Sequence, residues 1–221
     1  MGRAGRLCLA GWIAAVASLV GTSFAGGKRE LAFDVYREGS RIGRHALRIE
    51  EEGGGTVVEV DIDLSVSVLF VPLYRYAHRN RELWRDGRLV ALQTSTDDNG
   101  TVHRVEGRAG HDGFKVTTAS GSRLLPAPLI PTSYWNKDFV RQSQVLNTQT
   151  GQIMAIRAIA LGEETILAGG RSILARRYRI EGELELELWY DLSGGLAKLR
   201  FRTLSDGSLI DYVLRPPGPQ T

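Results

Sequence analysis

Alternation of apolar and polar residues predicts that this chain is built of β-strands. The longest run covers residues 58–68, where valine, isoleucine and leucine alternate with acidic residues and serine. A period of two over this length predicts one buried and one solvent-facing side. Asp61 and Asp63 lie two apart on the polar side and could form half of a metal or acid–base site. A solvated strand face is the favoured interpretation.

Similar patterns recur on both sides of a single interruption. Asp86-Gly87, Asn99-Gly100 and Asp112-Gly113 are typical of tight hairpin turns and divide residues 81–118 into a four-strand meander. We therefore predict an all-β fold, a large curved antiparallel sheet or barrel-like meander of about a dozen strands. The other predicted strands are Leu31–Tyr36, Ile42–Glu50, Tyr74–Arg85, Ile153–Ala160, Glu163–Leu167, Ser172–Glu181, Glu183–Tyr190, Leu196–Leu204 and Ser208–Arg215.

The interruption is the stretch Leu124–Asn136, which contains Pro126, Pro128 and Pro131. Prolines favour extended backbone and cannot continue a strand ladder. We expect this stretch to cross or cover the concave side of the sheet. Thr132 or Ser133 would then cap a short helix in which Trp135 and Phe139 stack four residues apart.

The predicted strand Tyr74–Arg85 has two unusual faces. One face carries arginines that could bind phosphate or carboxylate groups. The favoured alternative is that they pair with acids on neighbouring strands, such as Asp61, Asp63 or Glu183–Glu187. The arginines are Arg75, Arg79, Arg81 and Arg85, and the opposite, aromatic and amphipathic face carries Tyr74, Tyr76, His78, Asn80, Glu82 and Trp84.

A short segment occurs twice. Glu82-Leu83-Trp84-Arg85-Asp86 resembles Glu187-Leu188-Trp189-Tyr190-Asp191, and turn glycines and core leucines follow at similar spacing. In both copies the tryptophan shares a face with polar residues, so a large aromatic side chain needs a cover. The central stretch with Tyr134 and Trp135 is the expected cover. If that cover is incomplete, the gap is a binding cleft.

Residues 1–25 have the pattern of a secretory signal peptide. Arg3 and Arg6 precede a short apolar run, and small residues stand before a cleavage position near Ala25. We expect the mature chain, 26–221, to form one β domain in the periplasm or outside the cell, with halves 29–119 and 152–215 joined by 120–151 and no transmembrane segment. Without Cys8 it has no cysteine, and a net charge of +3 with interspersed acids does not indicate nucleic-acid binding.

Motifs for catalysis are absent from the sequence. His45, His78, His103 and His111 have no metal-ligand spacing and are interpreted as surface or strand-face residues. Ser133 lacks a nucleophile motif and is interpreted as a helix cap. The alternating row Glu183, Glu185 and Glu187 could serve acid–base chemistry but is ordinary for an amphipathic strand. The sequence predicts neither a metal nor a cofactor.

Four blocks resemble a bacterial family of exported proteins known as domain of unknown function DUF6134, which is related to DUF3108. The blocks are FDVYREGSRIGRH (33–45), ELWRDGRLVALQTSTDDNG (82–100), PTSYWN (131–136) and LWYDLSGGLAKLRFRTLSDG (188–207). Most of these residues belong to turns and strands. The resemblance therefore implies a single exported all-β domain, and it implies no catalytic residues.

The leading hypothesis is a non-enzymatic envelope protein that binds a lipid or another amphiphilic small molecule in a concave cleft. One alternative is an interaction or structural protein that docks an envelope protein. Another is a hydrolase acting on envelope glycans or esters, which requires two carboxylates or a Ser–His pair in a cleft. The candidate ligand-binding residues are Arg75, Tyr76, His78, Arg79, Trp84, Tyr134, Trp135, Asn136 and Trp189.

Overall fold

The computed structural model describes residues 27–68 and 71–217, so the predicted signal peptide lies outside the described residues. Fourteen strands form one antiparallel sheet with β8 and β9 at its two edges, so the sheet is open and the all-β prediction is confirmed. The strands are β1 (Arg29–Arg37), β2 (Ser40–Glu52), β3 (Gly55–Val68), β4 (Val71–Arg85), β5 (Arg88–Asp98), β6 (Thr101–Gly110), β7 (Gly113–Thr118), β8 (Gly121–Leu125), β9 (Gln144–Leu146), β10 (Ile153–Ala168), β11 (Arg171–Gly182), β12 (Leu186–Asp191), β13 (Leu196–Arg202) and β14 (Leu209–Leu214).

Strand order follows the chain outward from the middle of the sheet. The order is β8-β7-β6-β5-β4-β3-β2-β1-β14-β13-β12-β11-β10-β9, so two meanders meet at the pair β1–β14. In that pair Phe33 lies opposite Leu214 and Arg37 opposite Ile210. The first and last described strands therefore form the central seam of the sheet.

The chain between β8 and β10 packs against the inward face of the sheet. This crossing segment, residues 126–152, is tied to the first meander by the Thr94 hydroxyl, which donates to the Thr148 carbonyl at 2.7 Å. It belongs to the hydrophobic core because several of its apolar side chains are buried there. They are Leu129, Ile130, Phe139, Val145 and Leu146.

The predicted helix start within the crossing segment is wrong. A 3₁₀ helix spans Lys137–Arg141, and its N-cap is Asn136, whose side-chain oxygen accepts from the Asp138 amide at 2.9 Å. Residues 132–133 form a turn instead, and the Thr132 amide donates to the Leu146 carbonyl of β9 at 2.9 Å. The stacking partner of Phe139 is accordingly Tyr134, with ring centroids 5.2 Å apart, and not Trp135.

The strand predictions in the second half need three corrections. Residues 153–160 and 163–167 form one strand, β10, because a bulge between Ala160 and Gly162 absorbs the predicted break. β12 begins only at Leu186, so Glu183 and Glu185 lie in the preceding turn and do not form a strand row with Glu187. The third correction adds β9, a short strand within the crossing segment; β8, a further strand absent from the prediction, precedes that segment.

Two hairpin signals are confirmed in detail. Asp86 and Asn99 have φ of 49° and 50°, and the following glycines are also positive, as a type I′ turn requires. The third signal differs, because Gly113 (φ 143°) is the only member of that pair with positive φ. Within the described ranges, no helix is long and apolar enough to cross a membrane.

Candidate functional site

The inward face of β4 differs from the rest of the core because it is polar. His78 is 3% exposed, Asn80 4% and Glu82 0%, whereas the neighbouring strands contribute mainly apolar side chains to the same core. The register places His45, Ile62, His78 and Thr96 side by side across β2, β3, β4 and β5. The polar column of β4 therefore lies in the middle of the first meander, under the crossing segment.

Glu82 is the centre of a buried hydrogen-bond network without a cationic partner. Its Oε2 accepts from the indole N–H of Trp84 at 2.8 Å and of Trp135 at 3.0 Å. Its Oε1 accepts from the Asn80 amide at 2.8 Å. The two indole rings meet edge to face with centroids 5.3 Å apart. The network thus fastens the crossing segment to β4.

Burial raises the pKa of Glu82, while hydrogen bonds from Trp135, Ser133, Asn80 and Trp84 act in the opposite direction. A carboxylate only accepts hydrogen bonds, and the indoles and the amide supply only donors. The hydrogen-bond donors around Glu82 therefore favour its ionised form, whereas the low polarity of the core disfavours that form. Burying such a carboxylate costs free energy, and here the group holds the crossing segment against β4.

Next to this network lies a pocket of ≈ 160 Å³ between β2–β4, the crossing segment and β12–β14. Its apolar wall includes Ile62, Leu199 and Phe201, and its mouth is flanked by Leu184 and the exposed Glu185 of the β11–β12 turn. Val60 and Leu186 also belong to the apolar wall, and the remaining lining is polar or aromatic. These residues are His45, Tyr76, His78, Asn80, Thr132, Ser133, Tyr134, Thr148 and Tyr212.

Two histidines line the pocket in their neutral forms. Burial lowers the pKa of His45 to about 3, with a smaller contribution from His78, and lowers the pKa of His78 to about 4, with a smaller contribution from Arg79. The Nδ1 of His78 is 2.7 Å from the Thr96 hydroxyl, so Nε2 is its ring nitrogen available to a ligand. His45 packs between Phe33 and Tyr212, and neither of its ring nitrogens has a hydrogen-bond partner within the protein.

Asn80 links the pocket to the Glu82 network. Its amide nitrogen is committed to Glu82, so its Oδ1, which has no partner within the protein, is the atom left for other contacts. A neutral imidazole offers one donor and one acceptor, and Oδ1 adds a second acceptor. The pocket therefore combines an apolar wall with a small set of fixed hydrogen-bonding groups, as small-molecule sites do.

The model of the family named domain of unknown function (DUF6134) matches residues 33–215. The chain belongs to the DUF6134 family. The four sequence blocks that predicted this membership lie within the matched range, and the polar column of β4 lies there too. The predicted relationship to DUF3108 stays a prediction.

Among solved structures, the chain is similar to a β-barrel-like protein of domain of unknown function DUF1849 from Brucella abortus. The TM-score is 0.60 at 6% sequence identity, over 85% of this chain and 95% of the other. At this identity the similarity shows a common fold and nothing about activity. No curated protein matches the sequence.

The structure brings five of the nine predicted site residues of this DUF6134 chain together. Tyr76, His78 and Tyr134 line the pocket. Trp84 and Trp135 lie beside it in the Glu82 network, where Trp135 covers Trp84 as predicted. Asn136 does not line the pocket, because its side chain caps the 3₁₀ helix.

The remaining three predicted site residues lie on the outer face of the sheet. Arg75 and Arg79 project from β4 away from Tyr76 and His78, and both are exposed. Arg79 contacts Asp61 at 2.9 Å and Asp63 at 2.7 Å, so the alternative of acidic partners for the arginines is confirmed there. These two carboxylates are consequently neutralised on the outer face of the sheet.

Trp189 is also on the outer face, so the crossing segment does not cover it as predicted. It is 2% exposed because three cationic side chains lie over its ring: Arg177 at 5.1 Å, Lys198 at 5.3 Å and Arg200 at 6.0 Å from the centroid. Its indole N–H donates to Glu164. This cluster is part of an ion-pair network and not of the pocket.

Sequence reasoning missed several residues of the pocket. His45 shares strand parity with Leu47 and Ile49, a signal that would have placed it inward. Ser133 is 5% exposed and lines the pocket, whereas it was interpreted as a helix cap. In the described ranges, no group of three or more His, Cys, Asp or Glu residues is arranged to hold a metal ion.

Proposed function

We propose that this protein is a non-enzymatic binding protein that holds a small amphiphilic molecule in the pocket beside the polar column of β4. The observation that carries the proposal is His45. Its side chain lines the pocket, and its two ring nitrogens are buried and unpaired within the protein. An unpaired buried polar atom costs about 1–3 kcal/mol, and a bound hydroxyl, carbonyl or amide removes that cost.

The pocket volume limits the size of the ligand. A cavity of roughly 150 Å³ accommodates benzene, so a pocket of ≈ 160 Å³ suits a molecule or a headgroup of similar bulk. The exposed Glu185 and the half-buried Leu184 at the mouth leave a route for a longer substituent towards solvent. The lining supports a ligand with an apolar body and one hydrogen-bonding end.

The sequence supports a place of action. The pattern of residues 1–25 supports export to the envelope, where a carrier of amphiphilic molecules would work. We therefore include periplasmic or extracellular localisation in the proposal. N-terminal sequencing of protein purified from a periplasmic host tests it, with cleavage near Ala25 as the expected result. An intact N-terminus would contradict export by cleavage.

The binding proposal is tested by calorimetric titration of the mature chain with 3,3-dimethylbutan-1-ol, a compact alcohol with an apolar body. We expect saturable binding to one site, and ¹H–¹⁵N shift changes at the backbone amides around Ile62 and His78. The variant His45→Phe keeps a ring and removes the unpaired nitrogens. We expect its affinity for the alcohol to fall about tenfold, which corresponds to ~1.4 kcal/mol.

Two controls keep this experiment decisive. Leu124→Ala changes an exposed residue of β8 far from the pocket lining and should bind as the parent does. Far-UV circular dichroism should show the same β spectrum for all three proteins. Equal affinity of the parent and His45→Phe would remove the pocket as the binding site.

A further inference from the structure

The pocket is unusually rich in rings for its size. Four aromatic side chains and two neutral imidazoles line it: Tyr76, Tyr134, Phe201, Tyr212, His45 and His78. Aromatic faces carry partial negative charge and attract organic cations, most strongly where water is excluded. A lining of this type recurs where proteins bind methylated ammonium groups.

The pocket lining contains a single charged side chain, and it is an acid. Among the residues that line it, Glu185 at the mouth is the only one with a charged side chain at neutral pH, and no lysine or arginine takes part. Glu82 stands directly behind the wall, because its Oε1 holds the Asn80 amide. The charge of Glu185 favours a cation in the pocket and disfavours an anion.

The hydrogen-bonding atoms of the pocket also favour a cation. Glu82 fixes Asn80 so that its carbonyl oxygen, an acceptor, remains without a partner. The histidines are uncharged and do not repel a cation. Arg79 is the nearest cation on β4, but it lies on the opposite face and is paired with Asp61 and Asp63. The pocket thus offers hydrogen-bond acceptors and aromatic faces to a positively charged group. Its lining has no cationic side chain that could bind an anion.

We propose that the ligand of this pocket is a small organic cation, with a methylated or primary ammonium group held among the aromatic rings and a polar substituent directed to Asn80 or His45. This inference rests on the proposed binding function and narrows its ligand to one charge class. The arginines of β4, which suggested an acidic headgroup, take no part in the pocket lining.

The test compares choline with 3,3-dimethylbutan-1-ol, which has the same shape and a carbon in place of the nitrogen. Calorimetric titration of the mature protein should give a dissociation constant about tenfold lower for choline, the gain expected from cation–π contact at a desolvated site. Sodium chloride at the same concentration controls for ionic strength. Equal or tighter binding of the alcohol overturns the cation inference and leaves the binding function standing.

Two variants identify the groups responsible. Glu185→Gln removes the charge at the exposed mouth without touching the core. We expect choline affinity to fall about threefold while alcohol affinity stays the same. Phe201→Leu keeps an apolar wall but removes a ring, and should weaken choline more than the alcohol. If both variants weaken the two compounds equally, the selectivity is steric and the inference fails. If neither compound binds the parent protein, the proposed function itself fails.

Discussion

The two Glu-Leu-Trp segments have similar sequences and opposite orientations. In β4, Glu82 and Trp84 point into the core and are 0% and 2% exposed. In β12, Leu188 takes the inward position, and Glu187 and Trp189 point outward. Each tryptophan donates its indole N–H to a carboxylate, Glu82 in one case and Glu164 in the other. A shared sequence pattern has therefore produced an interior network and a surface network.

The difference lies in what neutralises the acids. Glu82 is surrounded by uncharged donors, two of them supplied by its own strand and one by Trp135 of the crossing segment. Glu187 is paired with Arg177, which contacts both carboxylate oxygens at 2.8 and 2.9 Å beside solvent. The interior arrangement depends on exact partners, whereas the outer arrangement depends on charge and is weakened by salt.

The largest difference should appear when each glutamate is truncated. Glu82→Ala leaves two buried indole N–H groups and the Asn80 amide without acceptors, and we expect it to lower the free energy of unfolding by about 3–5 kcal/mol. Glu187→Ala frees a partly exposed arginine and should cost about 1 kcal/mol. Urea denaturation at pH 7 measures both.

The conservative variant Glu82→Gln separates hydrogen bonding from charge. It keeps one acceptor and replaces the other with a donor, so its free energy of unfolding should lie between those of the parent and Glu82→Ala. Similar losses for Glu82→Ala and Glu187→Ala would show that the two networks are energetically equivalent and that the comparison is wrong.

A fall in pH should destabilise the buried polar residues before it disrupts the ion pairs of the outer face. The folded-state pKa values of His45 and His78 lie below the ordinary 6.5, at about 3 and about 4. Their contribution to stability is thus complete above pH 6.5 and is lost as pH falls towards these values. Between pH 7 and pH 5 the protonation of each histidine on unfolding should lower the free energy of unfolding by about 2 kcal/mol.

Glu82 acts with the opposite sign. Burial raises its pKa, so its protonation adds stability as pH falls and partly offsets the histidines. Urea midpoints from pH 7 to pH 5 in the parent and in His45→Phe isolate the histidine effect. The variant should lose roughly half of the pH dependence, and an unchanged slope would count against a buried neutral His45.

Salt gives the smallest effect and should act on the outer network. Arg177→Gln removes the cation that covers Trp189 and binds Glu187, and should cost about 1 kcal/mol at low salt and clearly less at 1 M sodium chloride. Trp135→Phe removes one indole donor to Glu82 and should cost a similar amount at both salt concentrations. Equal salt sensitivity of the two variants would contradict the conclusion that charge interactions stabilise only the outer network.

The sequence was sufficient to predict the sheet, most turns and which residues share a face. Alternation identifies the two faces of a strand, but it does not decide which face is buried. The polar column of β4 is buried because Trp135, far along the chain, supplies a donor to Glu82. For Trp189 the cover comes instead from Arg177, Lys198 and Arg200 on adjacent strands, a tertiary arrangement that local pattern does not encode.

The pocket could be predicted only in part for the same reason. Tyr76 and His78 were identified from their strand face, whereas Tyr212 and Phe201 come from the second meander and join them only after the sheet curves. The start of the 3₁₀ helix was placed too early because Thr132 had the chemistry of a cap. In the structure its amide donates to Leu146, and Asn136 caps the helix.

The seam between β1 and β14 sets the order in which the molecule can be assembled. All other neighbouring strand pairs join consecutive elements, and each can form by closing a short loop. The seam brings Phe33 next to Leu214 and closes nearly the whole chain into one loop. Such a contact is slow to form and has the largest entropic cost, so each meander can fold locally before the seam closes. The pocket has walls from both meanders, and it therefore exists only after this last, most distant pairing is made.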